Sequence, residues 1–427
     1  MNLFRKILFY WIIGIHFIFV MAVKAEEVTS ISSTPAATNV LVGSASLQKA
    51  IEKSLGITND HGIRVGGVWT ADVNTLFTGG IQDKKTISGN NLFQLSFSVD
   101  GEKMMGWKGS LFDADLLQFN GQNTNVYAGS VQGYNSLPGS EPLNRTELYQ
   151  LWYRQELFDK RFIFRIGKSV PTFNFNNVVE PVSLTKRDIP AVTGLIYTPI
   201  FVDTTLLGVL PGYYNSAYGI ELTFAPQKHW YLLFAAYDGS GAAGIQTGNY
   251  VLPVFDDSYF YISELGFDWL LEEKPGKIGI GIWHQDGLIQ GGSDLSESSA
   301  SGLYFFGSQR LWYKDPGINY SGISAFYQYG INNSDVLRMK QYVGAGLTAF
   351  GLIPNRISDS FGVGLALSWL NQEIFTRRDE LMFQVYYQTK IIKNIYLEPV
   401  LSYIPNPGAS DDLNPALAGT LRMVILF

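Results

Sequence analysis

The chain contains no cysteine, so neither a disulfide framework nor thiol chemistry is open to it. Histidine is almost as scarce, with four in 427 residues. Only His61, His229 and His284 lie beyond the N-terminal apolar run, and none of them is spaced as a metal-ligand pair. No nucleophile motif stands out among the serines, so no catalytic residue, metal or cofactor is assigned. Charge is also sparse, at 16% of residues. Beyond the first 25 residues the charged groups are 28 basic against 37 acidic, a balance that offers no footprint for nucleic acid. Only one long apolar run is present, at the N-terminus, so no later helix is expected to cross a membrane. Mean hydropathy is close to zero, far below that of a helical membrane protein. What the chain does have is aromatic residues at 14% and 44 glycines, which suit a large β structure with many turns.

The N-terminal run reads as an export signal. Arg5 and Lys6 precede the apolar stretch from Ile7 to Val23, and Val23-Lys24-Ala25 places small residues where a signal peptidase cuts. Residues 1–25 are therefore expected to be a signal peptide, with an uncleaved anchor as the alternative for so long a run. Residues 26–62 read as a periplasmic linker, Ser/Thr/Pro-rich from Thr29 to Ala37, with a short helix over Ser46–Leu55.

From Arg64 to the end, segments of period two recur. Phe93, Leu95, Phe97 and Val99 alternate with Gln94, Ser96, Ser98 and Asp100. The last strand alternates Leu421, Met423, Ile425 and Phe427 with Thr420, Arg422, Val424 and Leu426. Such rows put one face in an apolar medium and wet the other. Connections alternate between short ones, such as Asp159-Lys160 and Ile392-Lys393, and long ones, over 79–90, 120–144, 170–216, 239–258, 287–300 and 405–416. That order predicts an all-β fold: a transmembrane antiparallel up-and-down barrel of 16 strands over residues 63–427. Short turns would lie in the periplasm and long loops outside. Asn123–Gly133 is read as a hairpin arm within the second long loop, which keeps the strand count even. Tyr149, Tyr153, Trp230, Tyr231, Trp312, Tyr313, Tyr386, Tyr387 and Tyr403 near strand ends are expected to form interfacial girdles. Sixteen strands enclose an aqueous channel rather than a filled core.

The strand over 145–158 carries the clearest site signal. Gln150, Trp152, Arg154 and Glu156 alternate with an apolar row of Tyr149, Leu151, Tyr153 and Leu157. An inward aromatic ring stacks on the apolar face of a sugar, and charged groups bond its hydroxyls. Arg165 on the next strand and Asp113 and Asp115 on the previous one fall on the same inner face. The longest loop, 170–216, holds five prolines and two apolar runs, so it is expected to fold inward and narrow the channel, with Lys186, Arg187 and Asp188 at the constriction.

With these residues placed, the chain resembles the carbohydrate-selective porin family, OprB type. The resemblance rests on Glu147–Leu157, on Phe164-Arg165-Ile166-Gly167-Lys168, on Tyr127–Gly133, on Tyr218–Glu221 leading to Trp230-Tyr231 and Ala236–Gly239, and on Asn414–Arg422. It implies a Gram-negative outer-membrane channel passing monosaccharides such as glucose by diffusion, with Arg154, Glu156 and Arg165 facing the sugar. It also implies outer-membrane lipid as surroundings and recognition of Phe427 by the assembly machinery. Monomer and homo-oligomer both stay open. A general or ion-selective porin, and a surface barrel acting in adhesion, are the alternative readings.

Overall fold

The computed structural model describes residues 62–427 apart from 82–85, 142, 179–202, 212–214, 228, 246–251, 254, 256, 273, 292–294, 317–318, 320 and 393. The expected signal peptide, the linker and its helix lie outside the described residues. Sixteen antiparallel strands close into a barrel, each paired with its sequence neighbours and the last with the first. They are β1 (Ile63–Thr78), β2 (Ile87–Asp100), β3 (Ser110–Asn120), β4 (Arg145–Leu157), β5 (Phe162–Ser169), β6 (Ala217–Gln227), β7 (Trp230–Asp238), β8 (Tyr259–Leu271), β9 (Lys274–Gln290), β10 (Ser296–Tyr313), β11 (Gly322–Asn332), β12 (Met339–Phe350), β13 (Ser360–Leu370), β14 (Asp379–Ile392), β15 (Ile395–Ile404) and β16 (Ala416–Leu426).

Most strand limits match the alternating pattern, and the departures have local causes. β3 starts at Ser110 because Gly101–Met105 folds as a helical turn, α1. The Asp100 carboxylate accepts the backbone N–H groups of Glu102 and Lys103, at 3.1 and 3.2 Å, and so caps it. The hairpin arm expected at Asn123–Gly133 is instead a helical turn, α2 (Thr124–Tyr127), followed by irregular chain. Side chains rather than a partner strand take up its later N–H groups, as Val131 N and Gln132 N donate to the Glu380 carboxylate at 2.8 and 3.2 Å and Gly133 N donates to Ser130 Oγ at 2.9 Å. The long loop expected over 287–300 is shorter, because β9 and β10 run on past a bulge near Glu297.

Period two sorts the two faces. Phe97, Leu151, Ile166, Leu347, Phe383 and Leu421 are exposed on the outer face. Gln94, Asp115, Arg154, Glu264, Gln384 and Arg422 are buried on the inner one. Of the aromatics expected in girdles, Trp312 and Tyr403 are exposed on the outer face, whereas Tyr231 and Tyr386 turn inward, Tyr231 onto Glu264. Adjacent residues on a strand point to opposite faces, so Trp230/Tyr231 and Tyr386/Tyr387 cannot both face outward. Tyr149 also turns inward. The β3–β4 register slips between Asp115 and Leu116, leaving Tyr149 as an extra residue, packed with Leu117, Phe119, Leu137 and Val170.

The closing seam is held from both faces. Asp72 and Arg422 are register partners inside, with Nε–Oδ1 and Nη2–Oδ2 both 2.8 Å. Outside, the Phe427 ring stacks on Phe93 at 5.5 Å and occupies the space that a Cβ on Gly67 would fill, 2.4 Å from Cε2.

Glycines on the inner wall make similar room. A Cβ on Gly281 would sit 2.0 Å from Tyr304 Cζ, so that ring lies flat across the neighbouring strand. Gly281→Ala must displace it and its hydrogen bond to Glu264. We expect a loss of about 1–3 kcal/mol, read as a lower urea midpoint of the purified barrel in detergent. Gly89→Ala, whose nearest neighbour is 3.9 Å away, should leave the midpoint unchanged. Equal midpoints for the two variants would refute the packing argument.

Candidate functional site

The inner face of β3–β6 collects the polar residues singled out in the sequence. Register sets Asp115 beside Gln150, Asp113 beside Trp152 and Arg154 beside Arg165. Gln94 Nε2 donates to Asp115 Oδ2 at 2.9 Å, and Gln150 donates to the same oxygen. The Arg165 guanidinium lies over the Trp152 ring, 4.5 Å from its centroid. Arg154 pairs with Glu156, and Lys160 Nζ approaches the other Glu156 oxygen at 3.6 Å.

Glu221 on β6 completes this wall, and sequence reasoning did not assign it a role. Arg165 Nη1 donates to its two carboxylate oxygens at 3.2 and 3.1 Å. Tyr237 Oη and Ser169 Oγ donate to Oε1 at 2.5 and 2.8 Å, and Asn174 donates to Oε2. A glutamate in the inward row of β6 was the signal available to find it.

Asn174 belongs to the third long loop, whose described parts fold against the inner wall as expected. Asn176 N donates to Glu264 Oε2 at 2.7 Å, and Lys277 Nζ to Asn177 O at 3.2 Å. Asn176 takes a left-handed φ of +52°, which asparagine tolerates. Further along, Thr204 Oγ1 lies 2.9 Å from Ser368 Oγ, Asn332 Nδ2 donates to Thr205 O at 3.0 Å, and Leu206 and Val209 are buried. Lys186, Arg187 and Asp188 lie outside the described residues.

The second long loop also packs inward, which the sequence did not suggest. Val131 N donates to Glu380 Oε2 at 2.8 Å, and Asn135 Nδ2 to Asp72 Oδ2 and Asn74 Oδ1, both at 2.8 Å. Arg422 Nη2 donates to Ser136 Oγ at 3.0 Å. The loop residues are mostly small and polar, so no apolar run marked it for burial. His229 and His284 meet Asp268 and Ser301 at 2.9 and 2.8 Å. Among the described residues, no group of three His, Asp or Glu could hold a metal ion.

Asp203 is fully buried where the third loop docks, and its burial makes that docking depend on pH. Its carboxylate accepts the N–H and hydroxyl of Thr205 at 2.8 and 2.7 Å, yet complete burial outweighs these bonds and pushes it up to about 7. The docked loop therefore holds the Asp203 proton more tightly than the undocked loop, where the ordinary value of 3.8 applies. Docking is strongest below pH ~4, weakens as pH rises toward 7 and is weakest above it.

The OprB family model, described as "Carbohydrate-selective porin, OprB family", matches residues 84–427. Porin B of Pseudomonas aeruginosa is 22% identical over 397 residues, spanning 82% of this chain and 84% of that protein. Among solved structures, the high-pH form of Pseudomonas putida OprB superposes with a TM-score of 0.74 at 17% identity, covering 89% of this chain and 97% of the other. An anion-selective porin from Comamonas acidovorans shares the fold more distantly, with a TM-score of 0.53 at 10% identity, covering 86% of this chain and 99% of the other.

Hydrogen–deuterium exchange of residues 203–211, corrected for intrinsic rates, should show more opening at pH 8 than at pH 5. Asp203→Asn should remove that dependence and hold the segment closed at both values. A wild-type profile flat with pH would refute the assignment.

Proposed function

The chain belongs to the OprB family of carbohydrate-selective porins of the Gram-negative outer membrane, and we propose that it passes neutral monosaccharides through a constriction on the β3–β6 wall. Arg154, Arg165, Trp152, Glu156 and Gln150 would contact the sugar, with Asp113 and Asp115 lining the approach. Diffusion is passive.

One observation carries this reading. Arg154 and Arg165 are register partners, and each has its own carboxylate, Glu156 and Glu221. The wall thus offers a dense set of donors and acceptors with little net charge, beside an aromatic ring. That combination suits vicinal hydroxyls on a neutral ring better than a bare ion. The inward loops would set the width, and the exposed apolar outer face would meet outer-membrane lipid.

Phe427 is proposed to be read by the outer-membrane assembly machinery. Phe427→Ala should lose far more insertion in cells than it loses refolding yield in detergent, where only its packing at the seam is missing. Equal loss in both settings would assign Phe427 to packing alone.

The channel reading is tested by planar-bilayer conductance with glucose. Arg154→Ala should raise the half-blocking glucose concentration by about tenfold, roughly one charge-assisted hydrogen bond. Leu151→Ala, on the outer face, should not change it. Equal effects of the two variants, or conductance indifferent to glucose, would sink the proposal.

A further inference from the structure

Three loops from the long-loop end of the barrel meet on one pair of side chains. Ser368 on β13 and Glu380 on β14 are register partners on the inner face, and both are fully buried. Glu380 takes four donors. Ser130 Oγ and Gln132 N reach Oε1 at 2.6 and 3.2 Å, and Val131 N and Gly408 N reach Oε2 at 2.8 and 2.6 Å. That is the full capacity of one carboxylate, and it is drawn from the second long loop and from the loop between β15 and β16.

Gln132 turns back to the same pair. Its Nε2 donates to Ala366 O and Glu380 O at 3.3 and 3.1 Å, and its Oε1 accepts the Ser368 hydroxyl at 2.8 Å. That bond uses the one hydroxyl proton of Ser368, so Thr204 Oγ1, 2.9 Å away, donates to Ser368 Oγ. The second and third loops thus share one hydroxyl. The contact has no slack, since a Cβ on Gly408 would lie 2.8 Å from Glu380 Oε2 and 3.0 Å from Val131 Cγ2.

β13 stands eight strands from β5 (13 − 5) in the ring of sixteen, on the opposite side of the barrel, and the third loop leaves from β5. Asn174 holds that loop to Glu221 on the near wall, and Thr204 holds it to Ser368 on the far one. A loop fastened to both walls takes up cross-section that a solute needs, for as long as its fastenings hold. A pore discriminates by its radius and by its lining. Here the lining that contacts sugar lies on β4 and β5, and the fastening that narrows the lumen lies across from it.

We infer that Ser368 and Glu380 are positioning residues that set the size limit of the channel, separately from the arginine wall. This rests on the proposed sugar channel and deepens it, narrowing the substrate class to small sugars and holding back trisaccharides.

The test is liposome swelling with glucose and with the trisaccharide raffinose, paired with glucose block in planar bilayers. Wild-type liposomes should swell with glucose and hardly at all with raffinose. Glu380→Gln keeps the shape of the side chain but puts an amide NH2 where backbone donors arrive. It should speed raffinose swelling by about tenfold, the effect of one lost charge-assisted hydrogen bond on the open population. Ser368→Ala should speed it by about fivefold, as for a neutral bond. Both variants should leave the half-blocking glucose concentration unchanged, whereas a barrel that was only destabilised would lose swelling with both sugars alike. Ser324→Ala, at a buried inner-wall serine with no hydrogen-bond partner among the described residues, should change neither readout. If Glu380→Gln fails to fold, Ser368→Ala carries the test. Raffinose swelling unchanged in the folded variants, or as fast as glucose swelling in wild type, overturns the inference. A shift in glucose block as large as the change in raffinose swelling also overturns it, because size limit and lining would then be one site. Wild-type conductance indifferent to glucose, with Ser368-dependent exclusion of raffinose kept, would count against the sugar-contacting wall and leave the clamp standing.

Discussion

A strand in hydrocarbon has no water to satisfy its N–H and C=O groups, and every other feature of this molecule follows from that. The only sheet that leaves no open edge is a closed one, so the first strand must meet the last. Here the meeting is β1 with β16. It is specified by chemistry that fits one register: Asp72 opposite Arg422 inside, and Phe427 filling the space over Gly67 outside. A one-residue slip would turn Arg422 outward and separate it from its carboxylate. The seam thus ties closure to the division between an apolar outer face and a polar inner one.

The inner face then has its own problem, because loops folded into a barrel bring unsatisfied backbone with them. Carboxylates on the wall solve it. Glu264 accepts the N–H of Asn176, and Glu380 accepts those of Val131, Gln132 and Gly408. Glu221 both holds Asn174 and pairs with Arg165, so the loop and the arginine are fixed to one group. Loop position and the charge pairing of this wall are therefore coupled. A change at Glu221 would move both, which makes it a positioning residue as much as a lining one.

Much of this was legible in the sequence, for a physical reason. Period two is imposed by two solvents along the whole wall, so it survives in strands such as β2 and β14 whatever their details. The inward placement of Arg154, Arg165 and Arg422 came from it directly, and the strand count came from the alternation of short and long connections. Its failures were local. Tyr149 sits at a bulge, and a bulge shifts phase by one residue with no compositional mark. Asn123–Gly133 alternates like a strand, but the N–H groups of Val131 and Gln132 are bonded to the Glu380 carboxylate, far away in sequence. Glu221 was visible as an inward glutamate, yet its importance depends on Asn174, which no spacing rule connects to it.

The charge pattern of the inner wall argues for what crosses it. Two guanidiniums side by side would repel each other and draw anions into the channel if they stood alone. Glu156 and Glu221 neutralise them locally, so a neutral solute can exchange hydrogen bonds with the wall and meet little net field. Removing water from a sugar costs hydrogen bonds that this wall can return in kind, whereas a small ion gains little from a balanced surface.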